Sequence, residues 1–306
     1  MPEKKSRVKF GIWLPPFPSW SEIINRAKQI EELGYDSIWM VDHFAHSTCL
    51  EHSWMECWTL LAGIAACTTK IRVGTLVTNF IYRNPALLAK MALTLDHISE
   101  GRFTIGIGAG SPHDLSHSMT GVEPWPNPER VSRLKEIVQI LDLMLTHPIA
   151  NYSGTYYKVK EAVMLPPPIQ QPRPQILIAA HGRRTLKIAA TYADNWNSLA
   201  GSEFSSAEAV KFVSDCNQRL TELAITQGRD PKDISRSFTV GRTNDEPYES
   251  IGAFQSFIGR YIEAGIEEFM LGYWQDDDGP ESIPMSHINH PDLLERIALD
   301  VLPEYK

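Results

Sequence analysis

The chain has 306 residues, 43% of them hydrophobic, enough for a full-sized core and too apolar for a disordered or fibrous protein. Acidic residues (37) outnumber basic ones (29) and leave a formal charge of -8, which opposes non-specific binding to nucleic acid phosphates or anionic lipid. No run approaches the roughly 20 apolar residues that cross a bilayer, and the polar stretch 1–10, with Lys4, Lys5, Arg7 and Lys9, is unlike a signal peptide.

Residues 8–13 read as a first strand, followed by a rigid loop at Pro15, Pro16 and Pro18. Ser19 or Ser21 caps a helix through Leu33, which Gly34 stops. Strand two is 36–41, then helix 55–67, strand three at 71–78, a proline-opened helix at 85–98 and strand four at 103–107. A Pro- and Gly-rich loop spans 108–127. The next helix, 128–146, shows in Val131, Leu134, Ile137, Val138, Leu141 and Leu145, spaced by threes and fours. Residues 147–175 break the rhythm with tyrosines and prolines and read as a hairpin-like excursion. Strand five is 176–180, then helix 183–192, strand six at 195–199, helix 207–226, strand seven at 237–240, helix 250–264, strand eight at 268–273 and a last helix from Pro291. Cys57 and Cys67 fall in an apolar helix, where a thiol packs as a small apolar residue. With Cys49 and Cys216 they form no C-x-x-C pair, so a reducing cytoplasm is expected.

Eight strands, each followed by a helix through right-handed crossovers, give an α/β chain that closes as a (β/α)8 TIM barrel. One domain, 1–306, is expected, with insertions after strand four and before strand five. An open doubly wound sheet is the alternative, but the first β-α turn is proline-rich and lacks the glycine-rich dinucleotide fingerprint.

In such a barrel, chemistry sits just past the strands. Strand two ends in Asp42-His43-Phe44, where an imidazole at the mouth either packs or exchanges a proton near neutrality. Strand three ends in Thr75-Leu76-Val77-Thr78-Asn79, which is either a solvated strand end or a ligand edge. After strand four, Gly106, Gly108 and Gly110 alternate and permit close backbone approach to a flat or anionic ligand. Strand five leads through Ala180, His181 and Gly182 into a helix opened by Arg183 and Arg184, an anion site in an acidic chain or a solvated helix start. His113 and His117 lie in a loop without a metal-protease pattern, so no metal is expected; Walker and G-x-S-x-G motifs are absent from the sequence.

Several motifs in order resemble the bacterial-luciferase-like family of flavin- and F420-dependent oxidoreductases, and the resemblance covers nearly the whole chain. They are Glu32-Leu33-Gly34-Tyr35-Asp36-Ser37-Ile38-Trp39, Asp42-His43-Phe44, Asn84-Pro85 with Ala89, Ser99-Glu100-Gly101-Arg102-Phe103 ahead of Gly106-Ile107-Gly108-Ala109-Gly110, Ala193-Asp194-Asn195-Trp196-Asn197, and Ala264-Gly265-Ile266-Glu267-Glu268-Phe269. The resemblance implies a cofactor across the mouth, its ring near strands two to four and its phosphate near strand five. His43 would exchange the proton; Asp42, Thr75, Leu76, Thr78, Gly108, Ala109 and Gly110 would border the ring, with a non-prolyl cis bond at Thr75-Leu76; Ala180, His181, Gly182, Arg183 and Arg184 would hold the phosphate end. Trp13, Phe44, Trp54, Phe80, Tyr82 and Trp274 are candidates for an apolar wall.

Asp42-His43-Phe44 resembles the deazaflavin branch, so coenzyme F420 is preferred to FMN and hydride transfer to or from a small organic substrate is expected. Ser111 and Asp114 stand where sugar-phosphate dehydrogenases of the family carry an acidic residue and an asparagine, which sets that substrate apart. An FMN-dependent monooxygenase using O2 and a non-catalytic flavin-binding protein are the alternatives; a metal-dependent hydrolase lacks ligands. A homodimer is the family expectation.

Overall fold

Residues 7–46, 50–201, 203–241, 243–274 and 286–305 are described by a computed structural model of the chain; the sequence readings at Lys4, Lys5 and Cys49 lie outside them. The strands, in chain order, are β1 (Lys9–Leu14), β2 (Ser37–Met40), β3 (Arg72–Thr75), β4 (Phe103–Gly108), β5 (Ile149–Ser153), β6 (Lys158–Val163), β7 (Gln175–Ala179), β8 (Asn195–Ser198), β9 (Ser235–Thr239) and β10 (Glu268–Gly272). Eight of them form a closed parallel barrel in the order β1-β10-β9-β8-β7-β4-β3-β2, while β5 and β6 pair antiparallel outside it. This is the expected (β/α)8 barrel, with its excursion a hairpin.

Alternation along each strand builds two interiors. Phe10, Ile12, Ile38, Val73, Ile105, Ile176, Trp196, Phe238 and Phe269 point outward and pack with the helices as one buried apolar shell. Trp13, Trp39, Leu177 and Met270 point inward and join Phe17 and Trp274 in a separate cluster inside the barrel. Below that cluster the interior is polar, with Ser37, Asn195, Asn197, Ser237 and Glu268 all buried.

The helices start where the sequence signals stand. Ser19 and Glu22 form a reciprocal capping box on α1 (Trp20–Glu32). The α2 helix (Cys57–Cys67) begins two residues later than its apolar pattern, because Glu56 takes the cap and accepts from Thr59 N–H at 2.7 Å. Cys57 is buried as expected, but Cys67 is exposed, since it ends the last turn beyond the apolar stripe. Asn84 caps α3 (Pro85–Ile98). The loop 108–127 contains an unforeseen single turn, α4 (Ser116–Thr120), which the Asp114 side chain opens by accepting from Ser116 N–H at 2.8 Å.

The α5 helix (Asn127–Thr146) leads to the hairpin. Buried Asp96 on α3 ties down the segment between β6 and β7, accepting from Ile169 N–H at 2.7 Å, Gln170 N–H at 3.1 Å and Gln170 Nε2 at 2.8 Å. The α6 (Arg183–Tyr192), α7 (Ser206–Thr226) and α8 (Ile251–Glu263) helices complete the ring, and α9 (Pro291–Arg296) to α10 (Leu302–Tyr305) close the chain. No helix among the described residues is long and apolar enough to cross a membrane.

Candidate active site

Parallel strands put every C-terminal strand end at one rim, and because β2, β3, β4 and β7 are consecutive neighbours, the four segments read from sequence lie along one continuous arc. The loops after β2, β3 and β4 are also bonded to each other. Buried Asp42 accepts from Asn79 N–H at 2.8 Å, Tyr82 OH at 3.0 Å and both Arg83 guanidinium nitrogens, at 2.5 and 3.0 Å. Burial pushes this carboxyl up from its ordinary range, and Arg83 leads the groups that oppose the rise. Arg83 also reaches Glu56 at 2.6 Å, so Asp42 fastens the 79–83 segment and its oxygens are occupied by protein donors.

His43, next in the chain, leaves that buried knot for the mouth, its side chain 49% exposed. Its Nδ1 lies 3.0 Å from Asp114 Oδ2 on the loop after β4. Asp114 also accepts from Asn79 Nδ2 at 3.1 Å, and Trp54 Nε1 donates to the His43 carbonyl at 2.8 Å, so both backbone and ring are held. Because a carboxylate only accepts, Nδ1 carries the hydrogen and Nε2 is left as the exchangeable position. Burial pulls the imidazole down, but the Asp114 hydrogen bond and charge, with Asp42 behind, outweigh it and hold His43 above its ordinary value. Burial likewise raises Asp114, yet the bonds from His43 and Ser116 bring it down to about 2.

At the end of β3, Thr75 and Thr78 are fully buried and share a hydroxyl bond of 2.8 Å. Thr75 Oγ1 also accepts from Gly106 N–H and donates to Gly106 C=O, both at 2.9 Å. The Thr75 hydroxyl thus serves the backbone and the Thr78 hydroxyl serves Thr75, while Leu76 and Val77 pack on the inner cluster. The cis bond is Leu76-Val77, one residue beyond the expected Thr75-Leu76. Leu76 N–H still donates to Met40 C=O at 2.8 Å, so regular pairing runs through residue 76 and resumes when Thr78 N–H meets Gly106 C=O at 2.8 Å. Only glycine fits at 106, where an added Cβ would stand 1.8 Å from Thr75 O. Gly108 lies inside β4, the Ala109 carbonyl accepts from Arg130 Nε at 3.3 Å, and Gly110, at φ +66°, has nothing within 4 Å of an added Cβ.

The β7 side is built differently. Ala180 is buried, its N–H on Asn197 C=O at 3.2 Å and its carbonyl accepting from Trp196 Nε1 at 2.7 Å. His181 Nε2 accepts from Leu199 N–H at 3.0 Å, and burial lowers the imidazole, so its ring is a neutral strut rather than a cation for phosphate. Gly182 begins α6 with no side-chain cap and with only Thr185 Oγ1, at 3.6 Å, near an added Cβ. Arg183, the first residue of α6, is exposed at this uncapped helix start. Arg184 turns away, donating to Pro128 C=O at 3.2 Å and Ser132 Oγ at 2.9 Å on α5. Of the expected wall, Trp13, Trp54 and Trp274 meet in the inner cluster and Phe44 stands exposed edge-on to Tyr82, whereas Phe80 packs in the outer shell against Trp125.

The luciferase-like monooxygenase family profile matches residues 8–264. The chain belongs to the luciferase-like family. Among its relatives, an F420-dependent glucose-6-phosphate dehydrogenase of Amycolatopsis mediterranei is 30% identical over 59% of this chain and 54% of that protein. A phthiodiolone/phenolphthiodiolone dimycocerosates ketoreductase of Mycobacterium tuberculosis is 31% identical over 69% of this chain and 54% of its own length. The chain thus spans about half the length of these relatives. In fold it is similar to an F420-dependent secondary alcohol dehydrogenase solved with an F420-acetone adduct, at TM-score 0.77 and 18% identity, covering 98% of both chains.

As a luciferase-like barrel, the chain places its expected residues on one rim but divides their work. His43, Leu76, Gly110, Gly182 and Arg183 face open space or the inner cluster, while Asp42, Thr75, Thr78, Ala180, His181 and Arg184 are spent on the scaffold. The sequence places Trp54 in the wall, Asn79 on the strand-three edge and Asp114 at a substrate position, but not their bonds around His43, and it gives Arg83 no place in the site. A signal for Asp114 existed, a carboxylate six residues beyond Gly108 on the neighbouring strand's loop. For Asn79 and Arg83 there was none, because their role depends on how the 79–83 segment folds under Asp42.

Proposed function

We propose that this chain is an F420-dependent oxidoreductase that transfers a hydride between the deazaflavin and a small organic substrate, with His43 exchanging the accompanying proton at Nε2. The observation that carries the reading is the His43–Asp114 pair, which presents one imidazole nitrogen at a mouth floored by Leu76, Val77, Trp13 and Trp274. The residues fit a planar ring with an anionic tail: backbone approach is open at Gly110 and Gly182, and the uncapped start of α6, with Arg183, suits a phosphate. When bound, the deazaflavin supplies a carbon that takes or gives a hydride and resists oxygen.

Asp114 fixes the tautomer and orientation of His43, and its charge favours the imidazolium. Proton loss from a substrate hydroxyl to Nε2, or the reverse in reduction, therefore meets a preorganised partner. Trp13, Trp54 and Trp274 would help to exclude water from a ring held at this mouth. FMN with O2 is the second reading, favoured by the monooxygenase family match. Anaerobic incubation of F420-loaded protein with a panel of secondary alcohols should bleach the deazaflavin, and H43A should not bleach it. Oxygen consumption with reduced FMN, and no F420 chemistry, would reverse the assignment; cofactor binding without either turnover would make this a carrier.

The same reading includes a homodimer. Leu87 on α3, Ile149 and Val163 on the hairpin and Leu165 just beyond it are exposed, and Lys90 on α3 bonds the carbonyls of Val163 and Leu165, so they form one apolar face. Light scattering that returned a monomer mass would refute it.

A further inference from the structure

The polar lower interior of the barrel has a direction. Glu268, the first residue of β10, is buried and its Oε2 accepts from Asn195 Nδ2 at 2.8 Å. A carboxylate oxygen cannot donate, so Asn195 must turn its NH2 toward it and its Oδ1 away. That Oδ1 takes the proton of Ser237, 2.7 Å away and closer than the Trp196 carbonyl at 3.2 Å. Ser237 Oγ, its proton spent, accepts from Asn197 Nδ2 at 3.1 Å. The Oδ1 of Asn197 is thereby turned toward the rim and takes the proton of Thr239 at 3.1 Å. A second arm runs from Trp39 Nε1 to Ser37 Oγ at 2.8 Å and from Ser37 to Glu268 Oε1 at 3.3 Å. Apart from an Asn197 amide hydrogen that meets the Met270 sulfur at 3.4 Å, the donors of both arms point down the barrel toward Glu268, and the Asn195 arm keeps its sense whether or not Oε1 carries a proton.

Thr239 ends β9 at the mouth, and its hydroxyl lies 3.8 Å from the sulfur of Met270, a member of the cluster that includes Leu76 and Val77. We propose that Glu268 is a positioning residue that fixes, through Asn195, Ser237 and Asn197, the hydrogen-bonding character of Thr239, which then offers lone pairs alone and accepts from an N–H of the bound cofactor ring. The inference rests on the proposed cofactor reading. It goes further in assigning work to a residue at the opposite end of the barrel from the rim.

The test is absorbance titration of F420 and of FMN into wild-type protein, T239V, T239S, E268M and the T239V/E268M double variant, with side-chain amide NMR of Asn197 in cofactor-free protein. T239V should bind about three- to tenfold more weakly, the worth of one hydrogen bond, and T239S as wild type. E268M should move the Asn197 amide signals and weaken binding by a similar factor, and the double variant should be no weaker than T239V, because both act through one hydroxyl. Unchanged binding in T239V, multiplying effects in the double variant, or unmoved Asn197 signals would overturn the inference. If E268M does not fold, N197L beside T239V and T239S decides by the same comparison. Wild-type protein that binds neither cofactor overturns the cofactor reading itself; normal wild-type binding with an indifferent T239V overturns this inference alone.

Discussion

Replacing Asp114 with asparagine tests the site at its hinge. The substitution keeps shape, and Oδ1 can still accept from Ser116 N–H, now 2.8 Å from Asp114 Oδ1. It removes the charge from the 3.0 Å contact and offers His43 Nδ1 an NH2 donor, which turns the imidazole to the tautomer with its hydrogen on Nε2. A hydrogen bond to a charged group is worth about 1.5–3 kcal/mol. The His43 side chain is 49% exposed, so solvent screening favours the lower end, and about 1.5 kcal/mol corresponds to roughly tenfold in rate. Turnover of D114N should fall about tenfold, whereas H43Q, which loses the proton carrier itself, should fall by about a hundredfold or more. NMR titration of the His43 ring in cofactor-free protein should give a lower midpoint in D114N, since the groups that raise it against burial are led by Asp114. A midpoint that stayed put or rose, in a variant that folds normally, would refute the assignment of Asp114.

The same pair shapes stability against pH. Asp114, depressed from 3.8 to about 2, contributes stability above its unfolded value that is lost on acidification, while His43, raised from 6.5, contributes below that value and loses it as pH rises. The melting-temperature gap between wild type and D114N should therefore be widest between about pH 4 and 6.5; a gap that kept widening above that window would contradict the sign. At the phosphate end, R183A should weaken FMN binding about tenfold in a salt-sensitive way, while R184A, whose guanidinium is engaged on α5, should bind nearly as wild type. Equal losses in the two would dissolve the distinction. D96A leaves two backbone N–H groups and the Gln170 amide without their acceptor, and thermal unfolding should show a cost of about 3 kcal/mol, roughly 6 °C; a change under about 1 °C would mean solvent replaces it.

The barrel was legible because its strands and helices differ in hydrophobic period, and because Ser19, Asn84-Pro85 and Gly34 punctuate them locally. The rim positions of His43, Gly110 and Arg183 followed from strand ends alone. What sequence could not order was the division between residues that touch a ligand and residues that hold others. Thr75 and Asp42 look like ligand groups in one dimension, yet their partners, Gly106 and Arg83, are 31 and 41 residues away and are met only once the sheet closes. The displaced cis bond has the same origin, since pairing of Leu76 with Met40 is a matter of register between strands. His181 misled because an imidazole beside two arginines suggests an anion site until the Leu199 N–H is found on its acceptor nitrogen.

Whether the rim accepts a deazaflavin is measured directly by equilibrium titration of the purified protein with F420 and, separately, FMN. Saturable perturbation of the F420 spectrum, with tighter binding than FMN and loss of affinity in R183A, is the expected result. Spectra of both cofactors that stay unchanged at protein concentrations well above micromolar would contradict it.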